Sequence, residues 1–164
     1  MTYDELIAEV QRRGGLESAE EAERALRVTA RVLGARLMPD EAGPIAAVLP
    51  EPIATRVRDA AYERDFDVDE LFDRVARGEG SGRHFGKEHA QAVCQIIGEA
   101  LSDAARMRLQ RHLGPTYAPL FEPRGPLSRP SRPLRFSPMV EPGRGTTLAT
   151  GRPGASSPVS ETKR

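Results

Sequence analysis

The chain has 164 residues, room for one ordinary domain and a tail, with 24 acidic and 24 basic residues, no tryptophan and a single cysteine. Those figures exclude an internal disulfide, and no apolar run approaches the roughly 20 residues that cross a bilayer, so a reducing, cytoplasmic setting is expected. Neutrality hides a split: from Glu122 onward eight basic residues face three acidic ones, a net of +5 that leaves −5 on the body. Few aromatics and a core drawn from Leu, Val, Ile and Ala suit helix-on-helix packing. Lysine is confined to Lys87 and Lys163 while Arg, Ala, Gly and Pro abound, the bias of GC-rich bacterial genomes.

The chain opens on MTYDELIAEV, an amphipathic helix start and not a signal peptide. Thr2 is placed to cap it with Glu5 as the reciprocal box partner, and Leu6 and Val10, with Tyr3 and Ile7, form its buried stripe. Gly14-Gly15 ends that helix. A long second helix follows from Ser18, whose box partner is Glu21. Ala22, Leu26, Thr29, Leu33 and Leu37 recur at spacings of three and four and share one face, over a length of roughly 28 Å at 1.5 Å per residue. Pro39 and Pro44 do not both fit one undistorted helix interior, so a short helix with Pro44 in its first turn is expected to run through Val48. Pro50 or Pro52 then opens a fourth helix carrying Ile53 and Val57.

The pattern now repeats. DVDELFDRV, from Asp67, restates TYDELIAEV at an offset of 65, with Asp67 where Thr2 stood and Glu70 where Glu5 stood. After a glycine-rich connection, GEGSGRHFG, a long helix over Lys87 to Leu101 restates the first long helix at an offset of 64. Leu26 matches Ala90, Thr29 matches Val93, Ala30 matches Cys94, Val32 matches Ile96, Leu33 matches Ile97 and Leu37 matches Leu101. Gly34 matches Gly98. A glycine inside a helix costs about 1 kcal/mol against alanine, and it reflects either close approach of the two long helices or a tolerated residue near a helix end. Ser102 caps the next helix, which Gly114 and Pro115 stop, and Tyr117, Leu120 and Phe121 close the copy. A period near 65 is too long for the common solenoids. The expected fold is all-α: two tandem copies of a four-helix unit, about residues 2–62 and 67–121, packed as one pseudo-symmetric bundle over residues 1–121, then a disordered tail over 122–164.

The residues Asp4-Glu5-Leu6, Val10, Glu21 to Ala25, Val32-Leu33, Leu37, Glu41-Ala42 and Leu49-Pro50, with Asp69-Glu70-Leu71 and Leu113 in the second copy, resemble the bacterial family of domain of unknown function 2267. The resemblance spans about residues 2–121 and departs from the family pattern at Gly114 and Pro44. It implies an all-helical protein and carries no catalytic residue across.

Candidate chemistry is sparse. His84 and His89 are five apart and do not share a face as a zinc pair would, no second cysteine stands near Cys94, and solvent-facing or capping roles are expected for the histidines. Cys94, on a helix of small apolar residues, reads as a buried, inert thiol. The acids from Asp65 to Asp73 lack the glycine and final glutamate of a calcium loop and suit a helix start. The glycine run ends Gly-Lys-Glu, without the hydroxyl residue of a phosphate loop, leaving Arg83, His84 and Lys87 as a weak anion grip. No catalytic, cofactor or metal residue is assigned. In the tail, SRPSRPLRF sets Arg129, Arg132 and Arg135 three apart beside Phe136, which lines up the guanidiniums on one edge of a polyproline II rod. The expected role is a non-catalytic protein-interaction or scaffold module with a basic tail. The alternatives are nucleic-acid binding through that tail and a small-ligand site between the copies.

Overall fold

Seven α-helices and one closing 3-10 turn make up residues 1–63 and 66–123, which the computed structural model describes; among them there is no strand. In chain order the helices are α1 (Tyr3–Gly14), α2 (Ala19–Arg36), α3 (Pro39–Ala46), α4 (Ile53–Arg58), α5 (Val68–Glu79), α6 (Arg83–Ala100) and α7 (Asp103–Leu113), followed by the 3-10 turn Ala118–Phe121.

The starts are written in the caps. Thr2 accepts from the Glu5 amide and the Glu5 carboxylate returns to the Thr2 amide, and Ser18 and Glu21 repeat the exchange. Asp67 accepts from the Glu70 amide at 2.8 Å, and Ser102 from that of Ala105 at 3.2 Å. The stops are glycines where the backbone turns left-handed: Gly15 at φ 65° and Gly80 at φ 71°.

α2 and α6 run through the centre and touch each other. α1 packs on both, and so does α5; α4 lies on α2 beneath α3, and the 3-10 turn lies on α6 beneath α7. One continuous core results, and the matched positions fill it in pairs. Leu6 and Leu71, Val10 and Val75, Leu33 and Ile97, Leu37 and Leu101, Ile45 and Leu109, Leu49 and Leu113, and Val57 and Phe121 are all buried. Each large side chain contributes about 1.5–3 kcal/mol by leaving water.

Three expectations need correction. Pro39, not Pro44, holds the first turn of α3, and Pro44 sits inside that helix. There it forgoes the one bond that would have reached the Asp40 carbonyl, at a place exposed to solvent. Next, α6 begins at Arg83, so Gly78 ends up within α5, Gly86 within α6, and only Gly80 to Gly82 connect them. Gly86 is helical for a packing reason: a Cβ there would lie 2.6–2.7 Å from Ala76. Finally, Gly34 and Gly98 do not serve contact between the long helices. A Cβ on Gly34 would stand 2.6 Å from the Val57 carbonyl of α4, and one on Gly98 would strike the backbone of Phe121. Each glycine lets a long helix press onto the last segment of its own half.

The connection between the halves is tied at Phe66. Tyr117 donates its hydroxyl to the Phe66 carbonyl at 2.7 Å, Arg36 donates Nε to the same oxygen at 3.1 Å, and the Arg74 guanidinium lies 4.2 Å from the Phe66 ring. Arg36 also covers the Tyr117 ring at 5.2 Å.

Candidate functional site

After α2 the chain turns at Met38 into α3, and after α6 it turns at Ser102 into α7. α3 is anchored by Ala42, Ile45 and Ala46 and α7 by Leu109 and Leu113, and a cavity of about 230 Å³ lies between the two helices. Its floor is Ile45, Leu101 and Leu109. Asp40 on the α3 wall and Arg108 on the α7 wall carry no ion pair among the described residues. Across it His112 Nδ1 lies 2.9 Å from a Glu41 carboxylate oxygen, the Glu41 side chain being largely buried. Glu41 also accepts from the Met38 amide at 2.9 Å, so one carboxylate both caps α3 and reaches α7. Met38, the N-cap of α3, and Met107 of α7 are exposed apolar groups, at 55% and 60%. The walls differ in sign. α3 contributes Asp40 and Glu41, whereas α7 contributes Arg108 and His112.

A second feature is internal. Glu79, at the end of α5, and His89 of α6 form a buried pair, with Nδ1 2.8 Å from the carboxylate and side chains 5% and 10% exposed. Ser81 donates to the same Glu79 oxygen at 3.1 Å, while the other oxygen, Oε1, is buried without a partner. The sequence expectation of a solvent-facing or capping histidine fails here. Period alone placed His89 at the edge of the α6 face, and nothing local announced that Glu79 and the glycine end of α1 would close over it.

The other candidates resolve simply. His84 is exposed and 3.6 Å from Glu88, and Arg83 is bound to Asp69 and Asp73 at 3.1 and 2.5 Å. Lys87 lies over the Phe72 ring at 5.7 Å, so the three basic groups do not converge on an anion. Cys94 is fully buried, and that burial pushes its thiol up to about 12, where no nucleophilic thiolate forms near neutrality. Asp67 is spent on the N-cap of α5. Among the described residues no three His, Cys, Asp or Glu side chains are grouped to hold a metal ion, and no helix is long and apolar enough to cross a membrane. Arg129, Arg132, Arg135 and Phe136 lie outside the described residues.

A family model described as "Uncharacterized conserved protein (DUF2267)" matches residues 3–120. No curated protein and no solved structure matches the chain.

Proposed function

The chain belongs to the DUF2267 family, and from that premise we propose that it is a bacterial, cytoplasmic, non-catalytic interaction module that engages a partner protein through the cleft between α3 and α7. The carrying observation is the cavity of about 230 Å³ with its floor of Ile45, Leu101 and Leu109 and walls of opposite charge. Its size favours a side-chain anchor over a cofactor, since pockets for drug-sized molecules run from about 300 to 1,000 Å³. An apolar residue of a partner helix would enter between Asp40 and Arg108, with a basic group of the partner toward α3 and an acidic one toward α7. Buried anchors of this kind dominate protein interfaces.

The architecture is read as duplication of one helical half. The boundaries of α1 and α5 are 65 residues apart and those of α2 and α6 are 64 apart at both ends, and the residues that pack within each half correspond. In this reading the cleft lies where the two copies meet. The tail over 122–164 acts as a basic tether, with nucleic-acid binding through its arginines as the competing role.

The test is affinity capture with the full chain, with Ala104→Glu/Arg108→Glu, and with residues 122–164 removed. Proteins recovered by the first and third but lost with the second support the cleft. The same proteins recovered by all three would refute it, and nucleic acid lost only with the tail would favour the competing role.

A further inference from the structure

A different surface holds charge that the fold does not use. Where Gly34 lets α2 settle onto α4, a groove of about 540 Å³ opens, lined by Arg31 of α2, Thr55 and Arg56 of α4, and Asp59 and Glu63 of the following segment. Most arginines around it are committed: Arg27 to Glu23 at 2.8 Å, Arg58 to Glu51 at 2.6 Å, and Arg74 to Glu63 at 2.7 Å. The Glu63 carboxylate is thereby neutralised, and the Thr55 hydroxyl is given to Glu51. Arg31 and Arg56 have no ion pair among the described residues and both line this groove, Arg31 at its border with a neighbouring groove against Gly78 of α5; Asp59 is likewise without an ion pair.

The second half supplies the control. Gly98 lets α6 settle onto the 3-10 turn in the same manner, and a groove of about 260 Å³ opens there, lined by Gln91, Gln95, Pro119, Leu120 and Pro123, with Glu122. Counting 64 residues on, Gln95 stands for Arg31, Pro119 for Thr55, Leu120 for Arg56 and Pro123 for Asp59. A groove of this kind therefore forms with no guanidinium in it. Folding accounts for the groove but not for the two unpaired arginines.

We propose that the groove between α2 and α4 is a binding site for a small phosphate ester, whose phosphoryl group is gripped by Arg31 and Arg56 and whose hydroxyl groups donate to Asp59. The guanidinium fork matches phosphate oxygens two at a time, and two such forks suit a dianion. The volume falls within the range of small-molecule pockets. Asp59 sets the specificity: it repels a bare anion and rewards one that brings donors, so a phosphorylated polyol binds more tightly than inorganic phosphate.

The experiment titrates ribose 5-phosphate, inorganic phosphate and ribose into the full-length chain, followed by calorimetry and by amide chemical shifts. Ribose 5-phosphate is expected to bind, phosphate more weakly, and ribose not at all. Arg31→Gln and Arg56→Leu install what the second half carries, so both variants keep the melting temperature and each loses about tenfold in affinity, the worth of one charge-assisted contact. Arg24→Gln, on the same helix but outside the groove, is expected to change nothing. Unchanged, wild-type affinity in the two groove variants, or no saturable binding of either phosphate compound, would overturn the site. These variants leave α3 and α7 untouched, so the outcome is independent of the interaction cleft.

Discussion

Residues 1–63 and 66–123 form two halves with the same order of elements and different furniture. Where they agree, the agreement is in volume and close approach: leucine answers leucine or isoleucine along the core, and Gly34 answers Gly98. Where they differ, the difference is in polar chemistry. Ala25 answers His89, Thr29 answers Val93, Ala30 answers Cys94, Ile53 answers Tyr117, and Arg31 answers Gln95. Packing is what the fold cannot vary; titratable and charged groups are what each half adds for itself.

The most severe way to break the agreement is to fill one glycine. In Gly98→Ala the new Cβ meets the Phe121 backbone, with carbonyl carbon and Cα at 2.8 Å, and neither can move without lifting the 3-10 turn off α6. A loss of about 3 kcal/mol is expected in urea unfolding. Gly43→Ala, inside α3 with nothing within 4 Å of the added carbon, serves as the unhindered comparison and is expected to gain up to about 1 kcal/mol. Equal effects of the two would show that the close approach is not what holds the glycine.

This pair also shows what could be read before the fold was seen. Caps, the 64–65 offset and the period of the apolar residues place α1, α2, α5 and α7 to within a residue or two, because those signals are local. The reason for Gly34 and Gly98 is not local: it depends on which segment returns to lie on the long helix, and no spacing states that. The same holds for His89, whose partner Glu79 comes from another helix, and for the α3–α7 cleft, which exists because two short helices, bridged by Glu41 and His112, leave space between them. Pro44 misled because its lost hydrogen bond is cheap at an exposed position. The two unpaired arginines were legible only as part of a solvated face, since their meaning rests on which neighbours are already paired.

A milder break uses pH to separate the halves. Burial raises both the Cys94 thiol and the Tyr117 hydroxyl to about 12, and neither has an ionisable counterpart in the first half, where Ala30 and Ile53 stand. Raised values mean that the folded chain disfavours the ionised forms. The stability tied to each group is therefore whole below its unfolded value, about 9 for the thiol and about 10 for the phenol, and is lost as pH climbs toward 12. Urea midpoints are expected to be flat up to about pH 9 and then to fall. Cys94→Ala, which copies the first half, moves the onset up by about one pH unit because only phenols remain: Tyr117, and Tyr3, whose hydroxyl is also raised by burial and by its bond to Glu23. An unmoved onset would place the alkaline sensitivity outside the core.

The smallest effect runs the other way and sharpens the comparison from within α2. Thr29 is fully buried and its hydroxyl has no hydrogen-bond partner, whereas its match Val93 is equally buried and has no hydroxyl to satisfy. An orphaned hydroxyl in an apolar surrounding carries a desolvation cost of about 1 kcal/mol or more, and valine has nearly the same shape and branching. Thr29→Val thus removes the cost without opening a void, and the helix loses nothing because both residues are β-branched. A gain of about 1 kcal/mol is expected, seen as a rise of roughly 4 °C in melting temperature. Val93→Thr in the other half should lose a comparable amount, because α6 offers the new hydroxyl the same apolar surroundings. If both substitutions destabilise, the hydroxyl of Thr29 has a partner in solution, and the two halves are less alike at their centre than their shared burial implies.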